Sequence, residues 1–429
     1  MTGRRTGAGR SLLMVLGSVT GAVLAFAGAF VFLFHSLTGR LIPTQAAGLE
    51  DRLQAGILGA SLVVVGAVSM VAAYHGMEWL RGARQPKAAA PPRRGWQILL
   101  LLAIWLGSVW GAQAASRLPA WRWSAAVLHA LAIAVPIYAL LLLATGGLDR
   151  GSLTRSWGSL AAGMWLGTGL ALVAEITLGI LGLAAAGLYF MVHPEHAALL
   201  QRLVQDLGEA QGFPDAMATL QPLLDQPIAL FLALLVFSGF APLIEETAKS
   251  ATTWLVADRL RSPAAGFVTG ALGGAGFALL EGLFASANPD MYWGTTLLVR
   301  AGSSMMHITA AAIAGYGISI FHVSRRPEGL AAGYVGAMAL HSLWNASIVI
   351  LAFGGIRLSA GGLPQSGLIG WLMIVIGVAI LAALCLGTPI ALSILNRRLR
   401  PAPPHQTAPV ELDRKIDNSG AKSVMDVGK

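Results

Sequence analysis

Residues 366–395 read SGLIGWLMIVIGVAILAALCLGTPIALSIL, thirty positions without an Asp, Glu, Lys, Arg or His. About 20 apolar residues in a helix span the hydrocarbon core of a bilayer. Outward from this run, nine more stretches of the same kind lie near 11–34, 54–74, 96–115, 123–144, 159–192, 227–257, 263–286, 297–321 and 329–353. The whole composition agrees. Of 429 residues, 55% are hydrophobic and only 11% are charged, against about 25% charged in soluble domains. Mean hydropathy is +0.68. These values exclude an ordinary soluble globular protein and a disordered chain. The expected fold is all-α, a polytopic transmembrane helix bundle of about ten spans. The fifth and sixth runs are long enough to be tilted, broken or partly outside the membrane.

The net charge of +9 sits in short basic clusters between apolar runs. That pattern reads as membrane topology, with no need for nucleic acid. With the N-terminus placed in the cytoplasm, 17 Lys and Arg fall in inside segments and 6 in outside ones. Both termini are therefore expected in the cytoplasm, and losing one span would spoil the split. The first run follows Arg4, Arg5 and Arg10, like a signal peptide. Its 24 residues exceed a usual signal core, so a retained helix is expected. Cys385 is the single cysteine, which excludes an intrachain disulfide framework and a Cys-rich metal site.

Ionisable groups inside a span cost about 2.5–3.5 kcal/mol each on insertion scales. They persist where they are paired, face a cavity or carry function. Glu175, Glu245, Glu246, Lys249, Glu281, Arg300, His307 and His341 lie in apolar runs, and all but Glu175 fall between 245 and 341. The first half supplies only Glu175 and His129, neither with a clear partner. The chemistry is therefore expected in spans six to nine.

The sixth span carries Ala241-Pro242-Leu243-Ile244-Glu245-Glu246-Thr247-Ala248-Lys249. Lys249 is within one helical turn of both carboxylates and can offset their repulsion. Pro242 can kink the helix just before them. A carboxylate so placed suits a general base, although a structural Glu–Lys pair explains the spacing equally well. In the seventh span, Phe277 and Glu281 share a face, and Gly273, Gly274 and Gly276 allow close helix approach. Arg300 and His307 lie on similar faces of the eighth span. His341 and Asn345 share a face of the ninth, beside Trp344. Counting about 1.5 Å per residue, Glu246 falls in the cytoplasmic half of its span and Glu281 in the outer half of the next. The expected offset reaches roughly 15 Å.

Two chemistries fit. A Glu can act as general base on water while His and Asn donate to the oxyanion, or His and Glu can bind a metal that activates the water. There is no His-Glu-x-x-His run, no Gly-x-Ser-Gly and no Gly-x-Gly-Asp.

In this ordered set the chain resembles the PrsW-type intramembrane proteases, within the wider glutamic, CAAX-protease-like group. The resemblance rests on Glu245-Glu246-x-x-Lys249, on Gly274-x-x-Phe277-x-x-x-Glu281, on the intramembrane His307 and on Leu340-His341-Ser342-Leu343-Trp344-Asn345. CAAX-type relatives carry an Arg one position beyond Lys249, so the PrsW-like branch fits better. The resemblance implies an endopeptidase that cuts a membrane-anchored protein in the lipid bilayer, a regulator such as an anti-sigma factor among the expected substrates. It implies that Glu245 and Glu246 activate water, with Glu246 the favoured base. His307, His341 and Asn345 then polarise the carbonyl or hold the oxyanion, and Lys249, Phe277, Glu281 and Arg300 support them. No metal is assigned; zinc is the expected cofactor only of the metal-dependent version.

The expected organisation is a five-span N-terminal region (1–192), an acidic extracytoplasmic loop (193–226), a four-span protease-like core (227–353), a final span (354–400) and a disordered cytoplasmic tail (401–429). In the loop, Glu195, Asp206, Glu209, Asp215 and Asp225 face only Arg202 in charge. Leu199, Leu200, Leu203, Val204 and Leu207 have the spacing of a helix lying on the membrane surface. Two rival readings stay open: an ion- or proton-coupled transporter using the same buried charges, and an inactive membrane scaffold. An internal repeat would favour the transporter, and none is evident.

Overall fold

The computed structural model describes residues 2–38, 48–83, 86–88, 95–210, 213–359 and 364–400. The tail from 401, expected to be disordered, lies outside the described residues, as do Arg40, Arg84, Arg93 and Arg94 of the loop charges. So do the side chains of Glu195 and Leu199. Twelve helices follow in order: α1 (Thr2–Thr38), α2 (Leu49–Leu80), α3 (Gly95–Ser116), α4 (Arg122–Thr145), α5 (Leu153–Val192), α6 (Pro194–Glu209), α7 (Phe213–Leu224), α8 (Pro227–Trp254), α9 (Pro263–Ala285), α10 (Trp293–Ser324), α11 (Pro327–Ser359) and α12 (Pro364–Arg398). No strand occurs among the described residues, where Lys87 and Ser152 form one isolated bridge. Among the described residues ten helices, all but α6 and α7, are long and apolar enough to cross a membrane. They coincide with the ten expected runs.

Local chemistry sets the ends. Ser152 caps α5, its Oγ accepting from Arg155 N at 3.2 Å, so α5 starts before the apolar run does. Ser262 caps α9 in the same way through Ala265 N at 3.2 Å, with Pro263 in the first turn, where its missing N–H is harmless. Arg325 ends α10 in the left-handed region at φ 55°, and Pro327 opens α11. The two long spans are interrupted internally. α5 is π-helical over Gly163–Gly167 and α8 over Leu234–Phe240. A π turn inserts a residue into the helix and frees carbonyls, most often at functional sites.

α9 and α10 form the axis of the bundle. Their most apolar windows are 83% and 78% buried, against 11% for α8. Three glycines let α9 approach three neighbours. A Cβ on Gly273 would stand 3.0 Å from Thr252 Cγ2 of α8, and one on Gly274 would stand 2.6 Å from His307 O of α10. One on Gly276 would strike the Leu160 carbonyl of α5. At Gly274 and Gly276 the facing atoms are backbone carbonyls, so there the backbones pack directly.

The contacts also fix the register of α8 on α9. Thr252 faces Gly273, and Lys249 faces Phe277, so one turn further Glu245 comes level with Glu281. The expected offset of roughly 15 Å is corrected accordingly. α8 stops at Trp254, while the first turns of α9 run on past that end beside the 255–262 connection. The facing ends of the two helices are therefore not level. The helical hairpin α6–α7 is fastened at both ends. Tyr189 Oη and His196 Nδ1 hydrogen-bond at 2.9 Å, and Arg357 of α11 donates to Asp225 O at 3.3 Å.

Replacing Gly276 by Ala puts a methyl into the α5 backbone and is expected to cost about 1–3 kcal/mol, read as a lower thermal midpoint in detergent. Gly179→Ala, where a Cβ meets nothing within 4 Å, should leave the midpoint unchanged or raise it. Equal midpoints for the two variants would contradict the backbone contact.

Candidate active site

Four helices contribute. Glu245, Glu246 and Lys249 come from α8, Phe277 and Glu281 from α9, Arg300 and His307 from α10, and His341 and Asn345 from α11. An unbroken chain of polar contacts links six of them. Arg300 Nη1 donates to Glu281 Oε1 at 2.7 Å. His307 Nε2 reaches Glu281 Oε2 at 2.7 Å. Lys249 Nζ stands 2.7 Å from His307 Nδ1 and 2.6 Å from Glu246 Oε1. His341 Nδ1 reaches the same Glu246 oxygen at 2.8 Å.

The partners assign the tautomers. An ammonium can only donate, so His307 Nδ1 accepts from Lys249 and His307 Nε2–H donates to Glu281. His341 Nδ1–H donates to Glu246, which turns His341 Nε2 toward the interior of the cluster. Phe277 closes the base of the cluster. Its ring centre lies 4.5 Å from Lys249 Nζ, a cation–π distance, and 5.1 Å from the His307 ring.

The two adjacent glutamates have different surroundings. Glu246 and Lys249 are wholly buried and stand behind the cavity wall. Glu245 lines a cavity of about 420 Å³ together with Glu281, Arg300, His307, His341 and Asn345. Its Oε2 makes no hydrogen bond. That oxygen lies 3.5 Å from Lys249 Nζ and 3.9 Å from both His307 Nδ1 and His341 Nε2. Apart from Ser303, the rest of the wall is apolar, with Phe237, Met306, Trp344, Val349 and Phe353 among its groups. Along α8 the cavity is lined by Glu245, Phe237 and Ala233, a stretch long enough for a short extended segment. A larger groove of about 780 Å³ between α5, α8 and α11 has neither carboxylate nor imidazole in its wall.

All nine residues singled out from the sequence thus meet in one cluster, including Glu281. Asn345 is engaged in an unforeseen way, its Nδ2 donating to Phe237 O at 2.8 Å. Sequence reading also missed Phe237, which an apolar pattern cannot distinguish from a lipid-facing residue. Of the two remaining ionisable residues expected within spans, His129 belongs to a packing unit. Its Nε2 pairs with Ser286 Oγ at 2.9 Å and its ring stacks on Trp293. Glu175 is half-buried on α5 and within electrostatic range of Glu281 and Lys249.

Residues 156–384 match the model of the PrsW family, described as "PrsW family intramembrane metalloprotease". Comparison with curated proteins gave no match, and comparison with solved structures gave none. The matched stretch covers just over half of the chain. It begins within α5 and takes in every residue of the cluster. With its ten apolar helices, the chain is a multi-pass integral protein of the cell membrane, and it belongs to the PrsW family of intramembrane proteases.

Proposed function

We propose that this protease is of the glutamic type, with Glu245 as the general base. The observation that carries the reading is that Glu245 lines the cavity and Glu246 does not, with Glu245 Oε2 free of any hydrogen bond and 3.9 Å from both His307 and His341. Glu246, the base favoured by sequence position, is tied to Lys249 and His341 behind the wall and serves to orient them.

Charge balance supports the assignment. Glu245, Glu246 and Glu281 bring three negative charges to the cluster, and Lys249 and Arg300 bring two positive ones. One further proton balances the cluster in a medium of low dielectric. In this reading it sits on His341, countered by Glu246 as the aspartate of a serine-protease triad counters its histidine. Water between Glu245 Oε2 and His341 Nε2 then gives one proton to Glu245 as its oxygen adds to the scissile carbonyl carbon. The oxyanion takes hydrogen bonds from His341 Nε2–H and from the Asn345 N–H not used by Phe237. Collapse breaks the C–N bond, and Glu245 returns its proton to the leaving amine. The substrate is a membrane-anchored protein whose unwound segment lies in the apolar cavity. The distribution of basic residues supports both termini in the cytoplasm, with the α6–α7 hairpin outside. The spans before α8 support the core, as the packing of α5 on α9 suggests.

A metal-dependent reading has its own observation. Glu245, His307 and His341 offer three atoms within 4.8 Å of one another, and the family carries the name metalloprotease. Against it stands Lys249. Its ammonium occupies the lone pair of His307 Nδ1, which a metal would need, and it repels a second cation. The group fits a metal only with Lys249 displaced.

Glu245→Gln is expected to lower the cleavage rate of a membrane-anchored test substrate by about 100- to 10,000-fold with folding intact. A variant that cuts at the wild-type rate would remove Glu245 from the role. Cleavage by the purified protein is expected to survive a strong chelator. Loss of activity that zinc restores would assign Glu245, His307 and His341 to a metal instead.

A further inference from the structure

Pro242 and Asn345 lie on different helices, yet the backbone between them connects their chemistry. In the π-helical segment of α8 the bonds run five residues back, and Ala241 N–H donates to Val236 O. The next bond in that pattern would run from residue 242 to Phe237 O. Residue 242 is proline and has no N–H to give. An orphan carbonyl is costly within a membrane, where no water compensates it. Asn345 Nδ2, at 2.8 Å, is the donor that Phe237 O receives. A primary amide has two N–H groups, so this bond uses one and fixes the direction of the other. Phe237 and Asn345 both line the cavity that holds Glu245.

We propose that Pro242 is a positioning residue for the hydrolysis. By withholding an N–H it reserves the Phe237 carbonyl for Asn345, and that bond aims the second Asn345 N–H at the oxyanion. The π segment and the proline are then one device, since a π turn delivers the missing bond to the cavity wall. The proposal rests on the reading of Asn345 as an oxyanion donor. An N–H restored at 242 would draw the Phe237 carbonyl back along the helix axis and leave the Asn345 amide free to rotate.

The test is kinetic, on the full-length protein with a membrane-anchored peptide substrate. Pro242→Ala is expected to lower kcat by about 10- to 100-fold, the range for a misplaced catalytic group, with KM unchanged. Placing the α-hydroxy analogue of alanine at 242, which like proline has no N–H, should restore kcat. In an Asn345→Ala background, Pro242→Ala should cause no further loss, since residues acting through one contact are not additive. Equal kcat for the alanine and hydroxy-acid variants, or additive losses, would overturn the proposal. A purely structural proline would give that result. If Pro242→Ala does not fold, the otherwise native chain still decides. An isotope-labelled Phe237 carbonyl should shift its infrared band to higher wavenumber on Asn345→Ala, and an unmoved band means that a helical donor was present all along. Full activity in Asn345→Ala would overturn the oxyanion reading itself. A slow Asn345→Ala with a fast Pro242→Ala would overturn only the role of Pro242.

Discussion

Lys249 Nζ stands among Glu246, His307 and the Phe277 ring, at 2.6, 2.7 and 4.5 Å. Neither the ammonium nor the Glu246 carboxylate could occupy the bundle alone at tolerable cost. A lone carboxylate or ammonium in hydrocarbon costs several kcal/mol, and breaking a buried pair is worse than never forming it. The ammonium joins α8 to α10 through His307, to α9 through Phe277 and, by way of Glu246 and His341, to α11. It is thus a structural centre as well as an electrostatic one. Because it occupies Glu246 and His307, it leaves Glu245 as the acid without a committed hydrogen bond at the cavity.

The arrangement separates two roles that adjacent positions in the sequence do not distinguish. Neighbours on a helix point about 100° apart, so one of two consecutive glutamates faces the cavity and the other faces Lys249 and, on α11, His341. The rotation of α8 about its axis decides which, and the π segment of Leu234–Phe240 contributes to that rotation by adding residues to the turn. A bond pattern two turns away therefore bears on which carboxylate meets water.

The ten spans were legible because apolar length is a direct physical requirement of crossing a bilayer. The grouping of Glu245, Lys249, Glu281, His307 and His341 was legible because buried charges must find one another. Three features were hidden. The level of Glu281 depended on where α8 stops and α9 starts, and hydropathy blurs helix ends that lie side by side. The π turns leave no periodic signature in an apolar run. The choice between Glu245 and Glu246 depended on helix rotation, which is a property of tertiary packing. Pro242 was the one visible sign of the second and third features, and its consequence lay in a carbonyl five residues upstream.

The burial of α9 and α10 bears on how the chain is made. They are the two most buried spans and also the two least apolar of the ten. Their surfaces are built for protein neighbours, with glycine facing backbone and Glu281, Arg300 and His307 facing partners. As isolated segments leaving the ribosome they partition weakly into lipid, since each charge adds a few kcal/mol to the transfer. Stable insertion of this pair then depends on α5 and α8 waiting in the membrane and on α11 and α12 arriving soon after. The candidate site forms late in biosynthesis, when those last helices close around it.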